Sequence, residues 1–361
     1  MTEADRAKPR LVRSLSFHAE YGCQNTGVCC SSGWEIAIEE PIELALRRRL
    51  PSAGRRLRNG PDGFAPMSTP PKGCRSAFRR TDAGVCWFRD PERQDCAIHR
   101  EFGEESLASA CRQFPRVVVL EPSQVSVSLS HYCPTAAALL FRESADFTMV
   151  DSPKAFPASW PFEGLDARDA YSPLLRPGVL LGFNGLRRLE TEAITLLLEP
   201  DFGTGLFRLD AAMTRIREWT PGHGAVPDFV TAIFRECRQN PAASFVPGDP
   251  RPTLRHSVPA GVMAPDLPEF ACLRSGISAE VDLALRRYLA ARLLAAWVLF
   301  QANDLVATAR YLRLCVDTVH MFAEARDEGE AERDRWVEAI RSADLWLLHL
   351  SDPELLAQNL G

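Results

Sequence analysis

The chain lacks the usual marks of secretion, membrane insertion and nucleic-acid binding. No apolar stretch of signal-peptide type precedes Phe17, and the longest apolar run, residues 293–300, falls far short of the ~20 residues a membrane helix needs. The formal net charge is −5, and the arginines at 47–49 and 55–56 form only local runs, so no broad cationic surface is available for nucleic acid. His-Glu-x-x-His, a phosphate-binding loop and Gly-x-Ser-x-Gly are all missing, as is the Cys-x3-Cys-x2-Cys spacing of enzymes that cleave S-adenosylmethionine to a radical. The expectation is a cytoplasmic protein with reduced thiols, no membrane contact and no nucleic-acid partner.

Cysteine is abundant and unevenly placed. Eight of the eleven cysteines fall between positions 23 and 133. Disulfides belong to oxidising compartments and to small domains short of core, whereas 361 residues at 46% hydrophobic composition can bury a large core. Soft ligands gathered this densely suit an iron–sulfur cluster or zinc. Cys23-x5-Cys29-Cys30 puts three thiols on one loop ahead of a helix, Cys86-x9-Cys96-x14-Cys111 supplies three more, and Cys133 follows a hairpin. The expected ligands are Cys23, Cys29, Cys30, Cys86, Cys96, Cys111 and Cys133, with Cys74 an undecided eighth. A four-iron cluster takes four cysteines, so the surplus implies either thiols beside the ligands or a second metal. Cys237, Cys272 and Cys315 read as core packing.

Apolar spacing predicts a helix over residues 36–50, acidic at its start and basic at its end. Residues 51–73, rich in Pro, Gly and Arg, read as an irregular excursion. Residues 117–120 and 125–129 predict a hairpin, and Pro134 opens a short helix. Prolines recurring from 153 to 177 mark a linker. Helical stripes follow, including Leu186, Leu189, Ala193, Leu196 and Leu197, then 277–299, 304–322 and 330–350. The glycine-bearing stretch at 196–205 loosely resembles a cofactor loop, but the helical periodicity before it favours helix–loop–helix. Trp297, Trp336 and Trp346 read as bundle core or its boundary, and Arg287, Arg292, Arg310 and Arg313 as solvated helix charges.

The motifs resemble those of the flagellin lysine N-methylase family and its broader relatives, the zinc- or iron-chelating cysteine-cluster proteins. The matching text is Cys29-Cys30 with Gly33-Trp34-Glu35-Ile36, Cys86-Trp87-Phe88, Cys96-Ala97-Ile98-His99, Gly103 with Leu107, Cys111-Arg112-Gln113-Phe114-Pro115-Arg116, and Ser128-Leu129-Ser130-His131-Tyr132-Cys133-Pro134. The match covers residues 17–140. The chain departs from the family's look in its wide stretch between Cys30 and Cys86 and in carrying Cys74. The resemblance implies S-adenosylmethionine-dependent methylation of lysine on flagellin or another protein substrate, together with an iron–sulfur cluster or, alternatively, zinc.

Methyl transfer to lysine needs a neutral, aligned amine in a dry site. Tyr21, His99, His131 and Tyr132 are the candidate bases near the cysteines, with His131 and Tyr132 better suited to positioning the strand end beside Cys133. Two function classes stand: a metal-containing protein-lysine methyltransferase, or a non-catalytic zinc- or iron-binding scaffold or metal-handling protein. The expected fold is mainly α, an irregular cysteine-rich metal-binding module with a short β-hairpin followed by a helical bundle. The expected divisions are 11–150 for the module, 151–180 for the linker and 181–361 for the helices.

Overall fold

A computed structural model describes residues 11–54, 57, 59–143, 147–197, 199–200, 202–239, 277–327, 329–350 and 360. Cys272 lies outside the described residues. The strands are β1 (Leu11–Leu15), β2 (Ala37–Glu39), β3 (Phe64–Pro66), β4 (Cys74–Phe78), β5 (Arg116–Leu120), β6 (Gln124–Leu129), β7 (Met149–Asp151), β8 (Leu165–Asp166), β9 (Leu174–Arg176) and β10 (Val179–Leu180). The helices are α1 (Glu40–Ala53), α2 (Ala97–Phe102), α3 (Ser109–Gln113), α4 (Pro134–Leu140), α5 (Phe183–Leu197), α6 (Phe202–Ile216), α7 (Val226–Gln239), α8 (Ala279–Leu293), α9 (Trp297–Gln301), α10 (Val306–Glu324) and α11 (Glu332–Asp344), the last running on into a π turn over Leu345–Leu350.

A mixed five-stranded sheet in the order β7-β1-β6-β5-β8 forms the middle of the molecule. The expected hairpin is there, with β5 antiparallel to β6 and Val118 opposite Val127. β1 lies parallel to β6, Val12 opposite Val125, a pairing that only a long crossover can deliver. β7 pairs with β1 and β8 with β5, so part of the proline-rich stretch is sheet. A second, three-stranded antiparallel sheet runs β2-β4-β3. Residues 36–39 join this sheet and α1 starts after them, because Ile36 and Ile38 are buried alternately and Pro41 fixes the first helical turn.

The expectation of a mainly α chain carrying an irregular metal-binding module is therefore overturned. Ile38, Leu46, Leu50, Phe64, Phe78, Phe88 and Ile98 form an ordinary apolar core under the small sheet. Among the described residues, no group of three or more His, Cys, Asp or Glu side chains is arranged to hold a metal ion. This part of the chain is sheet and helix packed on hydrocarbon. Sequence reasoning missed the sheets because β1, β7 and β8 are short and find their partners far along the chain.

α5 to α11 share the largest core, with Leu189, Leu209, Phe234, Leu285, Tyr288 and Leu312 fully buried. α5 and α6 form the helix–loop–helix expected around residue 200. Cys237 and Cys315 are buried in this core. Trp336 is buried in it and Trp346 packs against its side, whereas Trp297 is partly exposed and donates to the Val118 carbonyl at 3.0 Å. Arg287 and Arg292, expected in solvent, are instead only 1% and 3% exposed.

Candidate functional site

Three loops deliver cysteines to one place. The first carries Cys29 and Cys30 in a short helical turn entered through Gly27, which sits in the left-handed region at φ 63°. A Cβ at Gly27 would stand 2.3 Å from the Gln94 carbonyl oxygen, so only glycine lets this loop close on the one bearing Cys96. The Cys86 backbone N–H donates to the Cys30 carbonyl at 2.7 Å. Asp90 caps the next turn through Glu92 and Arg93 N–H groups at 3.0 and 3.1 Å, and Arg89 pairs across to Cys96. Arg100 draws Asp90 and Asp95 together behind that loop. Glu39 accepts the Ser109 N–H and so fixes α3, which bears Cys111.

These contacts put the Cys30 thiol within hydrogen-bond reach of the thiols of Cys29, Cys86 and Cys96. Donation to its three neighbours, then burial, pushes Cys30 far above the ordinary thiol range, and the same contacts pull Cys29, Cys86 and Cys96 below it. Cys30 and Cys86 belong to one buried core, and Cys29, Cys96 and Cys111 pack against it. Cys111 is the next neighbour; burial raises its thiol, as do the charges of Cys96, Cys29 and Cys86.

A cavity of about 370 Å³ opens on this cluster. Cys29, Cys30, Cys96 and Cys111 line part of it, and Tyr21, Cys23 and Cys133 line another part. The Tyr21 hydroxyl lies 3.7 Å from Cys133 Sγ. Cys23, exposed, accepts the Asn25 N–H at 3.3 Å. Of the seven expected ligands, Cys23, Cys29, Cys30, Cys96, Cys111 and Cys133 line this cavity, and Cys86 is buried in the same core as Cys30. Cys74, at the start of β4, is in neither group.

Of the candidate bases, Tyr21 and His99 line the cavity. Burial, with Cys133 and Cys23 beside it, raises Tyr21 well above the ordinary phenol range. His131 is fully buried instead, its Nδ1 3.2 Å from Asp344 Oδ2 and its Nε2 3.1 Å from His18 Nε2. Asp344 also takes the His131 backbone N–H and the Tyr288 hydroxyl, and Arg292 stands 3.6 Å away. Burial opposes charge on Asp344, but Arg292 and His131 outweigh it and hold the carboxyl at about 2. Sequence reasoning missed Asp344, Arg292 and His18, since nothing local distinguishes them from helix charges or loop residues.

Motif aromatics join the two halves. Trp34 packs on Phe114, Tyr132 and His349 with ring centroids 5.8, 5.7 and 4.5 Å apart, and His349 bonds Ser130 Oγ at 2.8 Å. Burial lowers His349 to about 4, so its ring is neutral at physiological pH. Arg116, stacked on Trp160 at 4.3 Å, borders this cavity and a second one of about 170 Å³ lined by Arg292, Tyr311, Trp297 and His349. No helix among the described residues is long and apolar enough to cross a membrane. No protein-family model, curated protein or solved structure matches the chain.

Proposed function

We propose that the chain binds a thiolate-held metal centre, an iron–sulfur cluster, through Cys29, Cys30, Cys86 and Cys96 with Cys111 beside them. The activity we assign to it is S-adenosylmethionine-dependent methylation of lysine on flagellin or another protein. The observation that carries the metal reading is the Cys30 thiol in reach of three others. Four thiols in one place, two of them buried, are costly to gather without a ligand, and four thiolates are the donor set that iron–sulfur clusters and structural zinc take. The residues therefore fit the group. When bound, such a cluster supplies redox chemistry or a fixed wall for the substrate cavity.

The methylation reading rests on the resemblance. What supports it here is that Trp34, Phe114 and Tyr132, from three separate matching stretches, meet in one aromatic cluster beside the thiols. The cavity walls of this chain offer His99 as a group able to take a proton from an incoming amine and the Tyr21 hydroxyl as a hydrogen-bonding partner for it. A second reading is a zinc-binding scaffold without catalysis, since four cysteines are equally the donor set of structural zinc.

Anaerobic purification with iron, zinc and sulfide analysis, a visible spectrum and S-adenosylmethionine binding decides between them. Iron with sulfide, lost in Cys30→Ser, supports the first reading when cofactor binding accompanies it. Stoichiometric zinc without cofactor binding supports the scaffold. Absence of any metal in freshly isolated protein overturns both.

A further inference from the structure

Two arginines border the smaller cavity, of about 170 Å³, and together they carry more charge than the protein balances. The Arg116 guanidinium lies on Trp160 at 4.3 Å and donates from Nη1 to the Arg112 carbonyl at 2.9 Å, while its buried Nε has no hydrogen-bond partner. Among the described residues Arg116 makes no ion pair, and Glu104 acts on it only from a distance. Arg292 is 3% exposed, donates from Nη2 to the Leu129 carbonyl at 3.1 Å, and also leaves Nε unpartnered. Its one carboxylate, Asp344, stands 3.6 Å away and is shared with His131 and Tyr288. His349, on the same wall, is neutral at physiological pH. Two guanidiniums therefore face one carboxylate.

The rest of the wall is apolar or aromatic, with Leu294, Ala296, Val298 and Leu347 beside the rings of Trp297 and Tyr311. Trp297, partly exposed, is held in place by its bond to the Val118 carbonyl. The connection from α8 to α9 that closes this wall passes through Ala295 at φ 58°, a left-handed conformation uncommon for a residue with a side chain and of the kind that collects at ligand sites.

We propose that this cavity binds a small aromatic monocarboxylate of the benzoate class, its ring against the apolar wall and its carboxylate taken by Arg116 and Arg292. Size sets the ring count. An apolar cavity of about 150 Å³ takes one benzene molecule, so this one holds a single ring with its carboxylate and is too small for a nucleoside. Charge sets the functional group, since one carboxylate balances the second guanidinium and the planar fork of arginine matches its two oxygens. Burial already weakens the hold of Arg116 on its proton, a cost that an incoming anion relieves. The rings of Trp297 and Tyr311 favour an aromatic body over an aliphatic one of equal size.

This inference rests on neither the metal nor the methylation reading. The test is isothermal titration of the full-length protein with sodium benzoate at constant ionic strength, repeated with benzamide, which has the same shape and no charge. Benzoate is expected to bind once per chain with a Kd of about 0.1–1 mM, and benzamide at least about tenfold more weakly. Ala296→Leu fills the cavity without touching either arginine and is expected to abolish binding while the protein still unfolds cooperatively. Arg116→Gln weakens binding about tenfold or more, and Arg116→Lys, which keeps the charge and loses the fork, weakens it less. No saturable binding up to about 20 mM benzoate overturns the proposal, as does benzamide binding equal to that of benzoate. Wild-type affinity in Arg116→Gln, or in folded Ala296→Leu protein, overturns it as well, because the ligand then sits elsewhere.

Discussion

Asp344 is a charged side chain with no solvent exposure, and its contacts tie α11 to the residue after β6 and to α8. Its carboxylate meets His131 from the end of β6, and Tyr288 and Arg292 from α8. Removing one partner of a buried ion pair leaves the other charge without compensation, a loss of about 3–5 kcal/mol. Asp344→Asn is therefore expected to lower stability by several kcal/mol in chemical denaturation. Asp344→Glu, which keeps the charge, is expected to cost less. Glu190 is the opposite case: burial, reinforced by Glu121, raises it to about 8 despite Arg13 at 3.5 Å. Its folded value lies above its unfolded one, so its contribution is intact below about pH 4.5 and is lost progressively as pH rises to about 8. Glu190→Gln, a neutral shape mimic, is expected to be more stable than wild type above that range and no more stable in acid, as read by thermal melts across pH.

At the scale of elements, legibility followed locality. The β5–β6 hairpin, the α4 start at Pro134 and the α5–α6 helix–loop–helix were readable because each rests on neighbouring residues and a regular apolar period. β1 was not, since Leu11–Leu15 is recognisable only beside β6, over a hundred residues on. The thiol inventory was likewise visible while its arrangement was not. Spacing places Cys133 far from the first cysteine loop, yet the Tyr21 hydroxyl lies 3.7 Å from its sulfur. Gly27 shows what holds the Cys30 group together. A methyl group there would enter the space of the Gln94 carbonyl and the left-handed backbone would be strained besides. Gly27→Ala is expected to push the Cys29-Cys30 turn away from Cys96, weakening retention of the metal proposed above by at least about tenfold in chelator competition while leaving far-UV circular dichroism close to wild type. Equal metal retention by the variant would show that the loop approach does not set the site.

The whole molecule carries its polar interior across the joint between the sheet and the bundle, and that arrangement fixes its response to acid. His18, His131 and His349 are all lowered, chiefly by burial, and sit within the contacts that join Ser130 and His131 to Asp344 and the π turn after α11. A histidine held neutral in the folded state takes up its proton more readily on unfolding. Stability is therefore fully present above about pH 6.5 and falls as pH drops toward the folded value, which for His349 is about 4, a loss of about 3 kcal/mol for that residue alone. Asp344 adds a further loss only below about pH 4, as its carboxyl protonates between its unfolded value and about 2. Between neutrality and about pH 5 the three histidines act together against the opposite gain at Glu190, and because they lie at one joint the net loss should be shared by every element. Tryptophan fluorescence and far-UV circular dichroism are expected to give one coincident transition that moves to lower denaturant over that interval. His349→Phe, which keeps a ring against Trp34 and cannot take up a proton, is expected to flatten the pH dependence. Two separated transitions, or a His349→Phe slope equal to wild type, would place the acid response elsewhere than this joint.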